Sequence, residues 1–110
     1  MKETERELVA QRYALTMQRI MGEHICHHLD TARAAVTLIL EMKKRVVPFS
    51  FVGQDGVTHK VQGTLTGYEA CFGHPYQINP NNRFIVYYDV RLKGWRTFQI
   101  TGLIQLTVNS

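Results

Sequence analysis

Over residues 3–28, apolar side chains recur at steps of three and four. Val9, Tyr13, Met17, Ile20 and Met21 fall on one stripe, the signature of an amphipathic helix. Glu3, Glu5 and Glu7 lie at its start, where the helix dipole favours anions. Asp30 is placed to cap a second helix through Ala32, Ala35, Val36, Leu38, Ile39, Leu40 and Met42. The apolar residues of this segment surround more than one face, which predicts deep burial. Lys43, Lys44 and Arg45 close it, as cations suit a helix C-terminus. One bent helix over both segments fits the pattern equally well.

From Val46 the period becomes two. Val47, Phe49 and Phe51 alternate with other residues, and Gln54-Asp55-Gly56 supplies a hairpin turn. Val57, Val61 and Leu65 then share one face, with Thr58, Lys60, Gln62, Thr64 and Thr66 on the other. Gly63 and Gly67 sit on the apolar face, where glycine lets a strand bend sharply. Residues 69–82 read as a long loop broken by His74-Pro75 and Asn79-Pro80. Strands return at Phe84–Val90, Trp95–Ile100 and Leu103–Val108, linked through Lys93-Gly94 and Gly102. Alternation assigns Phe84, Val86, Tyr88 and Val90 to the core and turns Ile85, Tyr87 and Asp89 outward. Five short strands joined mostly by tight turns predict a closed or nearly closed antiparallel barrel. The fold class is α+β: helices over 1–45, then a small SH3-like or Sm-like barrel over 46–110. With 110 residues and no flexible linker at the boundary, the chain reads as a single domain.

Composition narrows the function. The N-terminus mixes both charge signs and lacks the plan of a signal peptide, and no apolar run reaches the length of a membrane span. A cytoplasmic protein with no membrane partner is expected. Two cysteines, Cys26 and Cys71, make no disulfide framework. The net charge of +4 permits polyanion binding without requiring it. It divides evenly, with eight basic and six acidic residues over 1–45 and five and three over 46–110. No glycine-rich phosphate loop and no serine nucleophile elbow is present, and Asp55, Glu69 and Asp89 are isolated, so no enzyme and no cofactor is expected.

Three segments carry a family likeness: His59-Lys60-Val61-Gln62-Gly63-Thr64-Leu65, Arg83-Phe84-Ile85-Val86-Tyr87-Tyr88-Asp89 and Gly94-Trp95-Arg96-Thr97-Phe98. Over roughly residues 31–108 the chain resembles the Sm-fold branch of the WYL domains. The resemblance implies a helix leading into a small barrel, and a module of bacterial or phage proteins that senses a ligand or nucleic acid. Where the larger group has Trp-Tyr-Leu, this chain has Phe84-Ile85-Val86, and Gly102 stands near the place of a second arginine. Only Arg96 of that basic pair is present.

Arg83, Arg91, Lys93 and Arg96 crowd into fourteen residues beside several aromatics. With Trp95 and Tyr87 as stacking surfaces, and Lys60, Arg83, Arg91 and Arg96 as phosphate partners, this region suits single-stranded nucleic acid or a nucleotide-like ligand. The competing reading makes the aromatics structural, the other cations solvated and Arg96 a partner of Asp89 or Glu69. A helix over 3–28 spans about 39 Å, more than a small barrel covers. That length predicts a homodimer through Val9, Tyr13, Met17 and Met21, and an interaction module as the alternative function. His24, Cys26, His27 and His28 cluster, and Cys71 and His74 offer a second pair, but the spacing matches no standard metal motif and no metal is assigned. Tyr76 and His74 are the loop residues best suited to touch a ligand.

Overall fold

The computed structural model describes residues 1–106. Its first helix, α1 (Glu3–Met21), stops where Gly22 takes φ 77°. Glycine adopts this left-handed conformation without a Cβ penalty, and the Gly22 N–H donates back to the Gln18 carbonyl at 2.7 Å. The helix is therefore shorter than the 3–28 pattern predicts. A 3-10 turn at Ile25–His27 separates it from α2 (Leu29–Met42), so there are two helices, not one bent one. His28, not Asp30, holds the N-cap position of α2. Asp30 lies in the first turn, 3.5 Å from the Arg33 guanidinium.

The two helices pack through small and long residues together. Ala10, Tyr13, Ala14 and Met17 of α1 and Ala32, Ala35, Val36 and Ile39 of α2 are all buried. Outside this seam the Arg33 guanidinium forks onto Glu7 at 3.0 and 2.9 Å, which holds the Glu7 carboxyl below its usual range. Arg6 donates to the Thr37 hydroxyl at 3.1 Å.

The strands are β1 (Val47–Val52), β2 (Thr58–Thr64), β3 (Phe84–Asp89), β4 (Gly94–Gln99) and β5 (Leu103–Leu106). Every adjacent pair is antiparallel, in the order β4-β3-β2-β1-β5. The last residues of the expected strand Leu103–Val108 lie outside the described residues. Among the described residues β4 and β5 remain edges, so the expected barrel is not closed. The sheet is strongly curled instead: Phe98 of β4 stacks on Phe51 of β1, with centroids 5.2 Å apart and planes at 23°.

Thr64 fastens this sheet to the helices. It is buried, although alternation placed it on the polar face. Its hydroxyl oxygen lies 3.1 Å from the carbonyl oxygens of Met42, the last residue of α2, and of Arg45 beyond it, so its one proton is shared between a helix-end acceptor and the turn that follows. Leu65 N–H adds a bond of 2.8 Å to the Met42 carbonyl.

The inner face of β3 is the opposite of the expected one. Ile85, Tyr87 and Asp89 are buried, while Phe84 is exposed and Val86 and Tyr88 are half-buried. Both sides of this strand are apolar, so alternation alone does not choose between them. The choice is made by a hole in β2. A Cβ on Gly63 would stand 2.7 Å from Cδ2 of Tyr87 and 2.9 Å from Cε1 of Phe49. The missing side chain is the seat of two rings, which meet edge to face at 5.2 Å. Asp89 tolerates burial because its carboxylate accepts the N–H groups of Arg91 and Leu92 at 3.0 and 3.1 Å.

The segment expected to be loop packs on Trp95 of β4 and on α1. Residues Tyr68–Phe72 form a short helix, α3, between Gly67 and Gly73. Its Tyr68 packs edge-on against Tyr76 at 5.2 Å, and the Thr16 hydroxyl donates to the Pro80 carbonyl at 2.6 Å. Burial pushes the Tyr76 phenol up to about 12, with Tyr68 adding to it. Burial raises Tyr13 further still, with Tyr76 adding to it.

Candidate ligand-binding face

Lys60 and Arg91 are far apart in sequence, and the sheet brings them to one groove. Lys60 stands on the outer face of β2, opposite Ser50 of β1. Arg91 belongs to the turn between β3 and β4. That turn is held by the Asp89 carboxylate, which accepts the Arg91 N–H, and at its first residue by Val90 N–H, which donates to the Gln62 carbonyl at 3.1 Å. Between them runs a groove of about 420 Å³, floored by Pro48, Ser50 and Gln62. Its lining holds no carboxylate, and neither cation takes part in an ion pair among the described residues.

The other expected ligand contacts lie elsewhere. Tyr87 is in the core, 1% exposed, so it offers no stacking surface. Its phenol is pushed up by burial first and by Asp89 second, while Arg96 works against the shift. Arg96 is the cross-strand partner of Tyr87, is exposed, and pairs with neither Asp89 nor Glu69 among the described residues. Trp95 is half-buried and already occupied by aromatics, with ring centroids of Tyr68, Phe72 and Tyr88 at 5.6, 5.2 and 5.3 Å. Arg83 lies over the ring of Phe84 at 5.2 Å. The expected aromatic-cationic face is therefore divided: the cations of the groove stand apart from the aromatic cluster built by α3.

The dimer stripe is also redirected. Tyr13 and Met17 are 1% and 2% exposed and Val9 packs on the same core, so these residues are used inside the chain. Met21 is exposed. The outward side of α1 shows Leu8 and Leu15 instead.

Among the histidines and cysteines, His24 Nδ1 lies 3.2 Å from Cys26 Sγ and accepts the Cys26 N–H at the same distance. His28 is buried with Nε2 unpartnered, its nearest carboxylate oxygen being that of Glu23 at 3.9 Å. His74 packs against Tyr68 beside α3. Among the described residues no three His, Cys, Asp or Glu side chains are grouped to hold a metal ion.

A second concavity escaped the sequence. It has a volume of about 550 Å³ and opens where the end of β1 meets the end of β4. Phe51, Phe84 and Phe98 form its apolar walls, and Gln54, Thr97, Gln99 and Thr101 its polar ones. A Cβ on Gly102 would strike the Val52 carbonyl, so glycine permits the close approach of chain at its base.

The chain matches the family model of WYL_2, the Sm-like SH3 beta-barrel fold, over residues 35–104. The chain belongs to this family. That span takes in most of α2 and the sheet up to β5, so α1 lies ahead of the matched WYL_2 unit. Membership makes the chain a binding or regulatory module of the Sm-like type. No curated protein and no solved structure matches it. No described helix is long and apolar enough to cross a membrane.

Proposed function

We propose that this WYL_2 chain is a non-catalytic sensor whose ligand carries phosphate, either single-stranded nucleic acid or a nucleotide, and that Lys60 and Arg91 hold it. The observation behind this reading is the convergence of two unpaired cations from separate elements on one groove without a carboxylate. Such a groove attracts phosphate, and its short polar floor of Ser50 and Gln62 supplies hydroxyl and amide groups. Base stacking on Tyr87 is no part of this reading.

The test is fluorescence anisotropy of labelled single-stranded DNA and RNA at low and physiological salt. Two phosphate contacts on a single strand give a slope of log affinity against log salt near about −1.4. Lys60→Ala and Arg91→Ala should each flatten it by about 0.7. Binding that is absent at low salt, or unchanged in the double variant, overturns the proposal.

A second reading rests on Leu8 and Leu15, exposed seven residues apart on the outer side of α1. It makes α1 a docking helix for another protein or for a second copy of the chain. Light scattering at high micromolar concentration, beside a Leu8→Lys/Leu15→Lys variant, tests self-association. A monomer in both samples removes the second-copy form of this reading.

A further inference from the structure

The bond from the Thr16 hydroxyl to the Pro80 carbonyl pins the stretch ahead of β3 to α1. The residues that follow are tightly wound. Asn82 N–H donates to the Asn79 carbonyl and Asn81 N–H to the Asn79 side-chain oxygen, both at 3.1 Å. Phe84 N–H donates to the Asn82 side-chain oxygen at 2.9 Å, and Ile100 N–H to the Arg83 carbonyl at 2.8 Å, which fastens the stretch to the sheet. Arg19 and Arg83, far apart in sequence, thereby line one pocket of about 350 Å³ between α1 and the start of β3. Both guanidiniums are oriented by the chain itself. Arg19 donates to the Thr16 hydroxyl at 3.0 Å, and Arg83 lies over the Phe84 ring. The lining holds no carboxylate, and neither arginine takes part in an ion pair among the described residues.

From this convergence we infer that the pocket is a binding site for a phosphate dianion, either free or as the monoester of a small molecule. The site goes beyond the Lys60–Arg91 groove and shares no residue with it. Two cations held in one pocket repel each other, and nothing in the lining offsets them. Both are exposed, so water and salt screen part of that repulsion, and the affinity for an anion is modest. A guanidinium forks onto two oxygens at once, and Arg19 spends only one N–H on Thr16. A tetrahedral phosphate has oxygens for two forks arriving from different directions, whereas a carboxylate satisfies only one. The charge matches as well. A phosphate monoester carries about two negative charges at neutral pH, whereas a phosphodiester would leave one guanidinium unmatched. Asn82 adds a neutral donor, because its side-chain oxygen is committed to Phe84 N–H and its amide N–H groups remain for a ligand. The volume lies within the range of small-molecule sites, so the group that carries the phosphate has room beside Ile20 at the rim. Arg19 lies ahead of the matched WYL_2 span and Arg83 within it, so the site is a composite that the WYL_2 unit alone does not contain.

The test is an amide-resolved NMR titration of the full chain, at constant ionic strength, with inorganic phosphate, glycerol phosphate, dimethyl phosphate and acetate in turn. Inorganic phosphate and glycerol phosphate should shift the amides of Asn81, Asn82 and Arg83 saturably, with a dissociation constant of roughly 1 mM. Dimethyl phosphate and acetate should bind at least about tenfold more weakly. Arg19→Gln and Arg83→Gln change exposed side chains outside the core, and each should weaken phosphate binding roughly tenfold. A Lys60→Ala/Arg91→Ala variant should respond like the parent at these amides. Equal affinity for the two dianions supports a site for phosphate itself, and tighter glycerol phosphate supports one that also holds the carrier. No saturable shift up to about 20 mM overturns the inference. So does parent-like affinity in both arginine variants, or acetate or dimethyl phosphate binding as tightly as phosphate. Loss of the response in the Lys60→Ala/Arg91→Ala variant overturns it too, because the shifts would then originate in the other groove. An intact phosphate response at Arg83 in a chain that binds no oligonucleotide overturns the groove reading and supports this site.

Discussion

Gly63→Ala puts the packing of the sheet to a direct test. One added methyl would lie 2.7 Å from Tyr87 and 2.9 Å from Phe49, well inside van der Waals contact. Neither ring has room to retreat. Both are nearly inaccessible, and each also leans on Phe98, at centroid distances of 6.0 and 5.2 Å. Forcing one carbon into such a core costs about 1–3 kcal/mol. Alanine returns about 0.4–1 kcal/mol by restricting the unfolded chain. The net expectation is a loss of roughly 1–2 kcal/mol, read as a lower urea midpoint with an unchanged slope. Gly94→Ala is the matched control, because both glycines are cross-strand partners of Asp89 and a Cβ on Gly94 meets nothing within 4 Å. It should be neutral or stabilising by up to about 1 kcal/mol. Phe49→Leu removes the Cε1 atom that the new methyl would strike. In the Gly63→Ala background it should therefore cost at least about 0.5 kcal/mol less than in the parent. A Gly63→Ala protein as stable as its parent, or strictly additive costs, would refute the claim that this glycine seats the rings.

Three further outcomes follow from the same contacts. Thr64→Val keeps the shape of a buried side chain but removes the hydroxyl that serves Met42 and Arg45. Its thermal unfolding should show a loss of about 1–2 kcal/mol. Asp89→Ala frees two turn N–H groups and should cost a similar amount, about 1–2 kcal/mol, and broaden the amide signals of Arg91 and Leu92, with Asp89→Asn recovering part of it. The third concerns alkali. The folded Tyr76 phenol ionises near about 12, above its usual value of 10, so between these values the unfolded chain has lost a proton that the folded chain keeps. Stability is then complete below pH 10 and falls as pH rises, by about 1.4 kcal/mol from Tyr76 alone at pH 11. Denaturant melts across this range should show the fall in the parent and a flatter course in Tyr76→Phe; equal slopes in the two would refute it.

Local chemistry made much of the architecture legible. Asp55-Gly56 and Lys93-Gly94 mark real turns, and the alternation read over Val47-Phe49-Phe51 is that of a strand, β1, whose buried side these residues form. Gly22 carried the signal that ends α1, but the histidines beyond it looked compatible with a continuing helix. The faces of β3 were beyond reach because Phe84, Val86 and Tyr88 are as apolar as Ile85 and Tyr87. The arbiter is the space above Gly63, which exists only once β2 lies beside β3. For the same reason Tyr87 was expected on the surface. Of the expected ligand contacts, Lys60 and Arg91 come together because the turn after β3 folds over β2, a tertiary event that no spacing announces. The neutral cleft was invisible because its walls are ordinary glutamines, threonines and phenylalanines drawn from three separated stretches.

The strand order has a consequence for how the chain comes together. β1 and β2 form a local hairpin, as do β3 and β4, and such short-range pairings close quickly. β1, however, takes its second neighbour from the other end of the sequence, with Phe49 aligned to Leu106. Closing so long a stretch carries an entropic cost that local contacts do not refund until late. Until β5 arrives, the outer edge of β1 offers unpaired backbone to any strand in reach, and α2, which rests on β5, lacks part of its floor. A fragment ending before residue 103 should therefore be prone to aggregate, and docking of β5 should be the step that commits the domain to its native state.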